Sequence, residues 1–298
     1  MESSPDDESL RDALRALARA PFTPETMTTI MGLVRGRHER RGYTAPRIER
    51  DIAYGPDPRQ RLDVHCFEGA ANQPVLVWVP GGGFVSGTKW QPGTPHQDNI
   101  GAWAWRHGAV AVVVDYRLAP QHTWPVAARD VASAIEWVRR NIAAYGGSPD
   151  RIVLAGGSAG AAHVASFMAG HGDGDPQDVA AVAVVSGIYA PALMAEAPHR
   201  DLVRTYYGSD EDALRMRSSV AGLAAWPGPL LVTVTEFDPP GFQEQALLLA
   251  SERLRVQRAL PYAAVVPGHM HASDVFSLGI DDSALDLMLR QLLARIRG

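Results

Sequence analysis

Six short apolar runs, at residues 74–79, 109–114, 152–155, 181–185, 230–234 and 263–266, punctuate the chain and constrain its fold more than any other feature. A run without alternating polar residues marks a strand covered on both faces, which is the situation in a parallel sheet. Between the runs the apolar spacing turns helical. Residues 127–144 carry Val131, Ile135, Trp137, Val138 and Ile142, and residues 243–257 and 283–296 read the same way. Strand and helix alternating in this way predict an α/β fold with a doubly wound, mainly parallel sheet.

The first part of the chain follows another grammar. Leu10, Leu14 and Leu17, then Met27, Ile30, Met31 and Val34, recur at helical spacing, with Pro21 and Pro24 dividing them. Residues 48–54 and 60–67 alternate polar and apolar, and Gly55-Pro56-Asp57-Pro58 lies between them. That reads as two antiparallel edge strands joined by a turn. Between Ser186 and Trp226 the strand–helix alternation is interrupted by a segment rich in Ala, Arg, Tyr and Met. The expected organisation is an N-terminal helical cap segment at 1–45 and a main domain at 46–298. A lid insert at about 187–226 would lie with the cap over the carboxyl ends of the strands.

Composition narrows the function classes. With 298 residues and a formal net charge of −5, the chain has room for a large core and no dominant basic stripe for nucleic acid. Its one basic run, residues 35–41, reads as a solvated helix end. Cys66 is the only cysteine, so no intrachain disulfide is available. The segment Met1-Glu2-Ser3-Ser4-Pro5-Asp6-Asp7 lacks the apolar core of a secretory signal, and no apolar run approaches the length of a membrane span. A cytoplasmic protein with no membrane and no nucleic-acid partner is expected.

The chemistry is carried by Gly156-Gly157-Ser158-Ala159-Gly160, placed between the run at 152–155 and a small-residue helical stretch. Strand, G-x-S-x-G, helix is the context of a nucleophile elbow, where a strained turn exposes the serine hydroxyl above the sheet. A serine needs a base to take its proton, and an imidazole needs an acid to fix its tautomer. In doubly wound hydrolases the three occur in the order serine, acid, histidine. Here Ser158 is followed by Asp238, after the run at 230–234, and by His269 and His271, after the run at 263–266. Asp238 is favoured over its neighbour Glu236 because Pro239 makes a rigid turn behind it. The spacing of His269 and His271 would also suit a metal, but no carboxylate or cysteine cluster joins them, so no cofactor and no metal are expected. His163 reads as a packed residue of the helix after the elbow. Pro80-Gly81-Gly82-Gly83-Phe84 follows the run at 74–79 and lacks the Gly-Lys-Ser/Thr of a phosphate loop. Amides of Gly82 and Gly83, with that of Ala159, would form a three-donor oxyanion hole.

Together these blocks, with Asp115-Tyr116-Arg117-Leu118-Ala119-Pro120 and Phe237-Asp238-Pro239, resemble the hormone-sensitive-lipase-like branch of the α/β-hydrolase superfamily. Two places depart from the branch's pattern. Pro80 stands where a histidine usually precedes the glycines, and the usual His-Gly-Phe is replaced by His269-Met270-His271-Ala272-Ser273. With Ser186-Gly187-Ile188-Tyr189, this is similar to kynurenine-formamidase-like and small carboxylesterase relatives, and that similarity selects His271 over His269 as the base. The resemblance implies an α/β-hydrolase fold with a small helical cap and a serine carboxylesterase acting on small acyl or aryl esters. Its implied catalytic residues are Ser158, Asp238 and His271. An arylformamidase or other small-amide hydrolase is the neighbouring expectation, and a non-catalytic binding module on the same fold is the expectation of another class. A homodimer through the carboxyl-terminal sheet edge is implied by the resemblance alone. Trp90, Trp103, Trp105, Trp124, Trp226, Tyr206 and Tyr207 are candidate pocket aromatics.

Overall fold

The computed structural model describes residues 5–18, 23–194, 198–280 and 283–297. Eight strands form one sheet: β1 (Arg47–Ala53), β2 (Arg61–Cys66), β3 (Gln73–Val79), β4 (Val110–Val114), β5 (Gly147–Gly157), β6 (Ala181–Val185), β7 (Leu230–Phe237) and β8 (Tyr262–Met270). Their spatial order is β1-β2-β4-β3-β5-β6-β7-β8. The β1–β2 and β2–β4 pairs are antiparallel, and every pair from β4 to β8 is parallel. This is the doubly wound, mainly parallel sheet expected from the apolar runs.

Side-chain alternation divides the core between the two faces of the sheet. Val75, Val77 and Val79 of β3 face one layer, where the helices Val126–Asn141, Ala159–Met168 and Pro240–Gln257 pack. Leu76 and Trp78 face the other, covered by the helices Asp98–Arg106 and Ala284–Arg295. The helix Val126–Asn141 covers the sheet with Ala127, Ala128, Val131, Ala134, Ile135 and Val138, the i, i+3, i+4 stripe that the sequence displays. Every residue of β4 is buried, so its continuous Val/Ala run has no solvent face to alternate with. Burial of each such Val contributes about 1.5–3 kcal/mol.

The helices Pro5–Leu17 and Pro24–Arg41 close a third cluster, in which Leu10, Leu14, Ile30 and Val34 meet Met270 and Ile280. Pro21, placed between them by the sequence reading, lies outside the described residues. The basic run ends the second helix with Arg35, Arg40 and Arg41 exposed, yet His38 is buried there and its Nε2–H donates to Phe276 O at 2.7 Å. The segment after β6 holds the short helices His199–Tyr207, Glu211–Met216 and Val220–Ala225. The last packs against Ala159–Met168 and Pro240–Gln257, while residues 195–197 of the expected lid lie outside the described residues. β8 runs beyond the apolar stretch at 263–266, because Gly268 turns at φ 76° and pairing with β7 resumes at Phe237 and Met270. Among the described residues no helix is long and apolar enough to cross a membrane.

Candidate active site

The chain leaves β3 toward β4 on one side and β5 toward β6 on the other, so the crevice between β3 and β5 is the switch point of the sheet. Ligands of open α/β sheets bind at the carboxyl ends of strands in such a crevice. Ser158 sits there, between β5 and the helix Ala159–Met168, at φ 53° and ψ −121°. Its own N–H donates to Val185 O at 2.8 Å, which ties the strained turn to β6. The flanking glycines are sterically required. A Cβ on Gly160 would stand 2.0 Å from Val79 O, and one on Gly156 would stand 2.7 Å from the Gly160 carbonyl.

Three groups from the ends of three parallel strands meet in one relay. The Ser158 hydroxyl and His271 Nε2 are 2.9 Å apart, and His271 Nδ1 is 2.6 Å from Asp238 Oδ1. A carboxylate only accepts, so His271 carries its proton on Nδ1 and leaves Nε2 free to accept from Ser158. Asp238 Oδ2 accepts from Ser186 Oγ at 2.6 Å and from Thr235 N–H at 2.7 Å. Burial pushes this carboxyl upward, but the charge of His271 and the hydrogen bonds from His271, Ser186 and Thr235 hold it below the usual carboxylate range. Asp238 therefore stays ionised while 3% exposed.

Beside the relay, the loop after β3 brings Gly81 against the elbow: a Cβ there would lie 3.1 Å from Ser158 Cβ. Gly82 has φ 146° and Gly83 φ 59°, and a Cβ on Gly82 would stand 2.1 Å from Ser86 O. Among the described residues neither Gly82 N–H nor Gly83 N–H donates to a main-chain carbonyl. Ala159 N–H opens a helix and has no intrahelical acceptor. Unspent donors of this kind are what a developing oxyanion requires. Among the described residues eight non-glycines have positive φ, and four of them, Phe84, Ser158, Ser186 and Ala272, frame this one site. Backbone strain concentrates where geometry is held for function.

The BD-FAE family model matches residues 62–213, just over half of the chain. The chain belongs to the BD-FAE family. The match contains Gly82, Gly83, Ser158 and Ala159, while Asp238 and His271 lie beyond it. Among curated proteins, esterase LipC of Mycobacterium tuberculosis is 37% identical over 159 residues, covering 52% of this chain and 36% of LipC. Isoprenylcysteine alpha-carbonyl methylesterase ICME of Arabidopsis thaliana is 35% identical over 126 residues, 42% of this chain and 28% of that protein. The matched stretch thus spans about a third of the length of these relatives. Among solved structures, the esterase of the archaeon Pyrobaculum calidifontis superposes with a TM-score of 0.70 at 24% identity, covering 100% of this chain and 98% of that one. The thermophilic carboxylesterase EstE1 gives 0.67 at 24% identity over 92% and 97% of the two chains. These likenesses extend over the α/β-hydrolase fold as a whole.

Within this BD-FAE chain the two histidines near the carboxyl end have different surroundings. His271 faces Ser158, whereas the ring of His269 is fully buried, with Nδ1 3.0 Å from Ser273 Oγ. His163 is buried in a cage of Phe84, Tyr116 and Tyr206 rings, at centroid distances of 5.5, 4.5 and 5.0 Å. Burial pushes His163 down to about 3, which keeps it neutral. Glu236 Oε2 accepts from Gly268 N–H at 2.7 Å and pins the turn in β8, so it is this turn and not His271 that it holds. The candidate aromatics divide as well. Trp103 is in the core under the opposite face, with Nε1–H donated to Asp286, and Tyr206 and Tyr207 pack with Phe84. Ser186 enters the sequence reading only within the block Ser186-Gly187-Ile188-Tyr189, with no site role, and the structure sets its hydroxyl 2.6 Å from Asp238 Oδ2. Its signal is a lone hydroxyl directly after β6, between the strands that carry Ser158 and Asp238. A cavity of about 360 Å³ opens beside the relay, lined by Glu236, Phe237, Pro239, Pro240, Met270 and His271 among others. Among the described residues no group of three or more His, Cys, Asp or Glu side chains is placed to hold a metal ion.

Proposed function

We propose that this chain is a serine carboxylesterase acting on small acyl or aryl esters. The unbroken Ser158–His271–Asp238 relay beside the glycine loop carries the reading, and the BD-FAE match and the esterase relatives support it. Ser158 Oγ attacks the ester carbonyl carbon as His271 Nε2 takes the hydroxyl proton. The carbonyl oxygen becomes an oxyanion that accepts from the N–H groups of Gly82, Gly83 and Ala159. Asp238 stabilises the imidazolium and holds its tautomer. The tetrahedral intermediate collapses, the C–O bond to the alcohol breaks, and His271 returns the proton to the leaving oxygen. Water then attacks the acyl-Ser158 carbonyl with His271 Nε2 again as base, the bond from the acyl carbon to Ser158 Oγ breaks, and His271 returns the proton to Oγ as the acid leaves. No cofactor enters these steps.

The helices near the relay act as a cap and lid. His199 lies with its ring centroid 6.3 Å from that of His271, and Leu202 would meet a Cβ on Gly83 at 3.0 Å. From the other side Leu10 and Leu14 pack on Met270, one residue before the base. A homodimer forms through the open β8 edge, which carries exposed Tyr262 and Val265. A cytoplasmic setting fits a chain whose one cysteine, Cys66, is a buried free thiol.

The test is hydrolysis of p-nitrophenyl acetate and butyrate together with labelling by a fluorophosphonate. Ser158→Ala should abolish both, and His271→Ala should lower kcat by about 10³-fold or more, the scale of removing a triad member. His269→Ala should act mainly on stability, since that ring is enclosed near Ser273. Ordinary turnover by Ser158→Ala refutes the proposal.

A further inference from the structure

Three consecutive glycines form the least restrained stretch a chain can have, since each has access to both signs of φ. A donor array built on them must therefore be held by other residues. Pro80 opens this loop without any side-chain donor. Within the loop, Ser86 N–H and Oγ–H donate to Gly82 O at 3.0 and 2.8 Å; the restraint on its two ends comes from the segment after β4. Tyr116 Oη–H donates to Pro80 O at 2.8 Å, and Ala119 N–H donates to Phe84 O at 3.0 Å. One short segment thus grips the residue before the glycines and the residue after them. Beyond the loop, Asp115 Oδ1 accepts from Lys89 N–H at 2.6 Å. Arg59 bridges the two segments, donating from Nε to Tyr116 O at 3.1 Å and from Nη2 to Gly87 O at 2.9 Å.

We propose that Tyr116 is a positioning residue of the oxyanion loop, fixing the Pro80–Gly81 peptide plane so that the Gly82 and Gly83 amides face the carbonyl attacked by Ser158. Pro80 C=O and Gly81 N–H share one rigid plane. A hydroxyl that fixes the carbonyl therefore fixes where the following glycine starts. Tyr116 is 2% exposed and packs edge-on against His163 at 4.5 Å, so its ring cannot swing away from Pro80. Burial also pushes its phenol upward, which keeps Oη protonated as a donor at every working pH. The role rests on the esterase reading for its catalytic consequence, but the mechanical part stands by itself.

Tyr116→Phe deletes one oxygen and keeps the packing. In steady-state kinetics with p-nitrophenyl butyrate, kcat should fall about 10- to 100-fold with KM within about twofold, because displaced donors weaken transition-state binding selectively. The acid limb of the pH–rate profile should stay in place, since the relay is untouched. Hydrogen exchange of peptides spanning residues 80–90 should accelerate in the variant, with the melting temperature little changed. A kcat within about twofold of wild type overturns the proposal, as does a loss of kcat with unaltered exchange at 80–90. If wild type itself hydrolyses no ester, the esterase reading fails, and the exchange data alone decide whether Tyr116 holds the loop.

Discussion

Replacing Asp238 by asparagine tests the relay with a change of one atom. The two carboxylate oxygens have unlike partners. Oδ2 meets Thr235 N–H at 2.7 Å, a group that can only donate, and Oδ1 meets His271 Nδ1 at 2.6 Å. An asparagine can put its carbonyl in only one of these places. Facing Thr235 and Ser186 with the carbonyl leaves the NH₂ against His271 Nδ1, which must then accept. The ring proton moves to Nε2, and Nε2–H points at Ser158 and cannot take its proton. The opposite orientation keeps the working tautomer but sets NH₂ against Thr235 N–H, two donors at hydrogen-bond distance. Either way a charge-assisted bond to the imidazolium becomes neutral and a second bond is lost. Hydrogen bonds to charged groups are worth about 1.5–3 kcal/mol each. Two of them correspond to a fall in kcat of about 10²- to 10⁴-fold at 1.36 kcal/mol per tenfold. The assay is kcat for p-nitrophenyl butyrate in Asp238→Asn, with the fluorophosphonate labelling rate alongside. A loss below about tenfold in a folded variant would refute the assignment of Asp238 as the group that orients His271.

Ser186→Ala removes the 2.6 Å donor to Asp238 Oδ2 but leaves Thr235 N–H in place, so kcat should fall only several-fold, and a loss equal to that of Asp238→Asn would contradict the stated geometry. Gly82→Ala forces a side chain into φ 146° with Cβ 2.1 Å from Ser86 O; the loop must move, and kcat should drop by about 100-fold or more, the scale of one oxyanion donor. His163 is held neutral by burial, with its pKa lowered from 6.5 to about 3. The unfolded chain therefore binds a proton that the folded chain refuses between those values, and stability that is full above pH 6.5 is lost as pH falls toward 3. Relative to wild type, His163→Phe should flatten this acid slope by about 1 kcal/mol per pH unit in urea melts; equal slopes would show that the imidazole is not a neutral buried group.

The strand–helix order, the tight strand-to-helix turn at Ser158 and the chain order Ser158, Asp238, His271 are all legible in the sequence. Each is a local consequence of chemistry. A strand covered on both faces must be continuously apolar, as at 110–114, and an elbow needs small residues where Gly156 and Gly160 meet each other and Val79. Which histidine faces Ser158 is not local. His269 and His271 stand two residues apart in one strand-end segment, and only the turn at Gly268, pinned by Glu236, and the left-handed Ala272 settle which ring reaches the elbow. The same holds for Ser186 and Tyr116. Ser186 belongs to the relay because β6 lies between β5 and β7. Tyr116 reaches Pro80 because β4 pairs with β3, although 36 residues separate the two. Local pattern specifies strands, helices and turns, since their hydrogen bonds and burial close within a few residues. Contacts between strand ends depend on the order in which the sheet assembles, which only the folded chain determines.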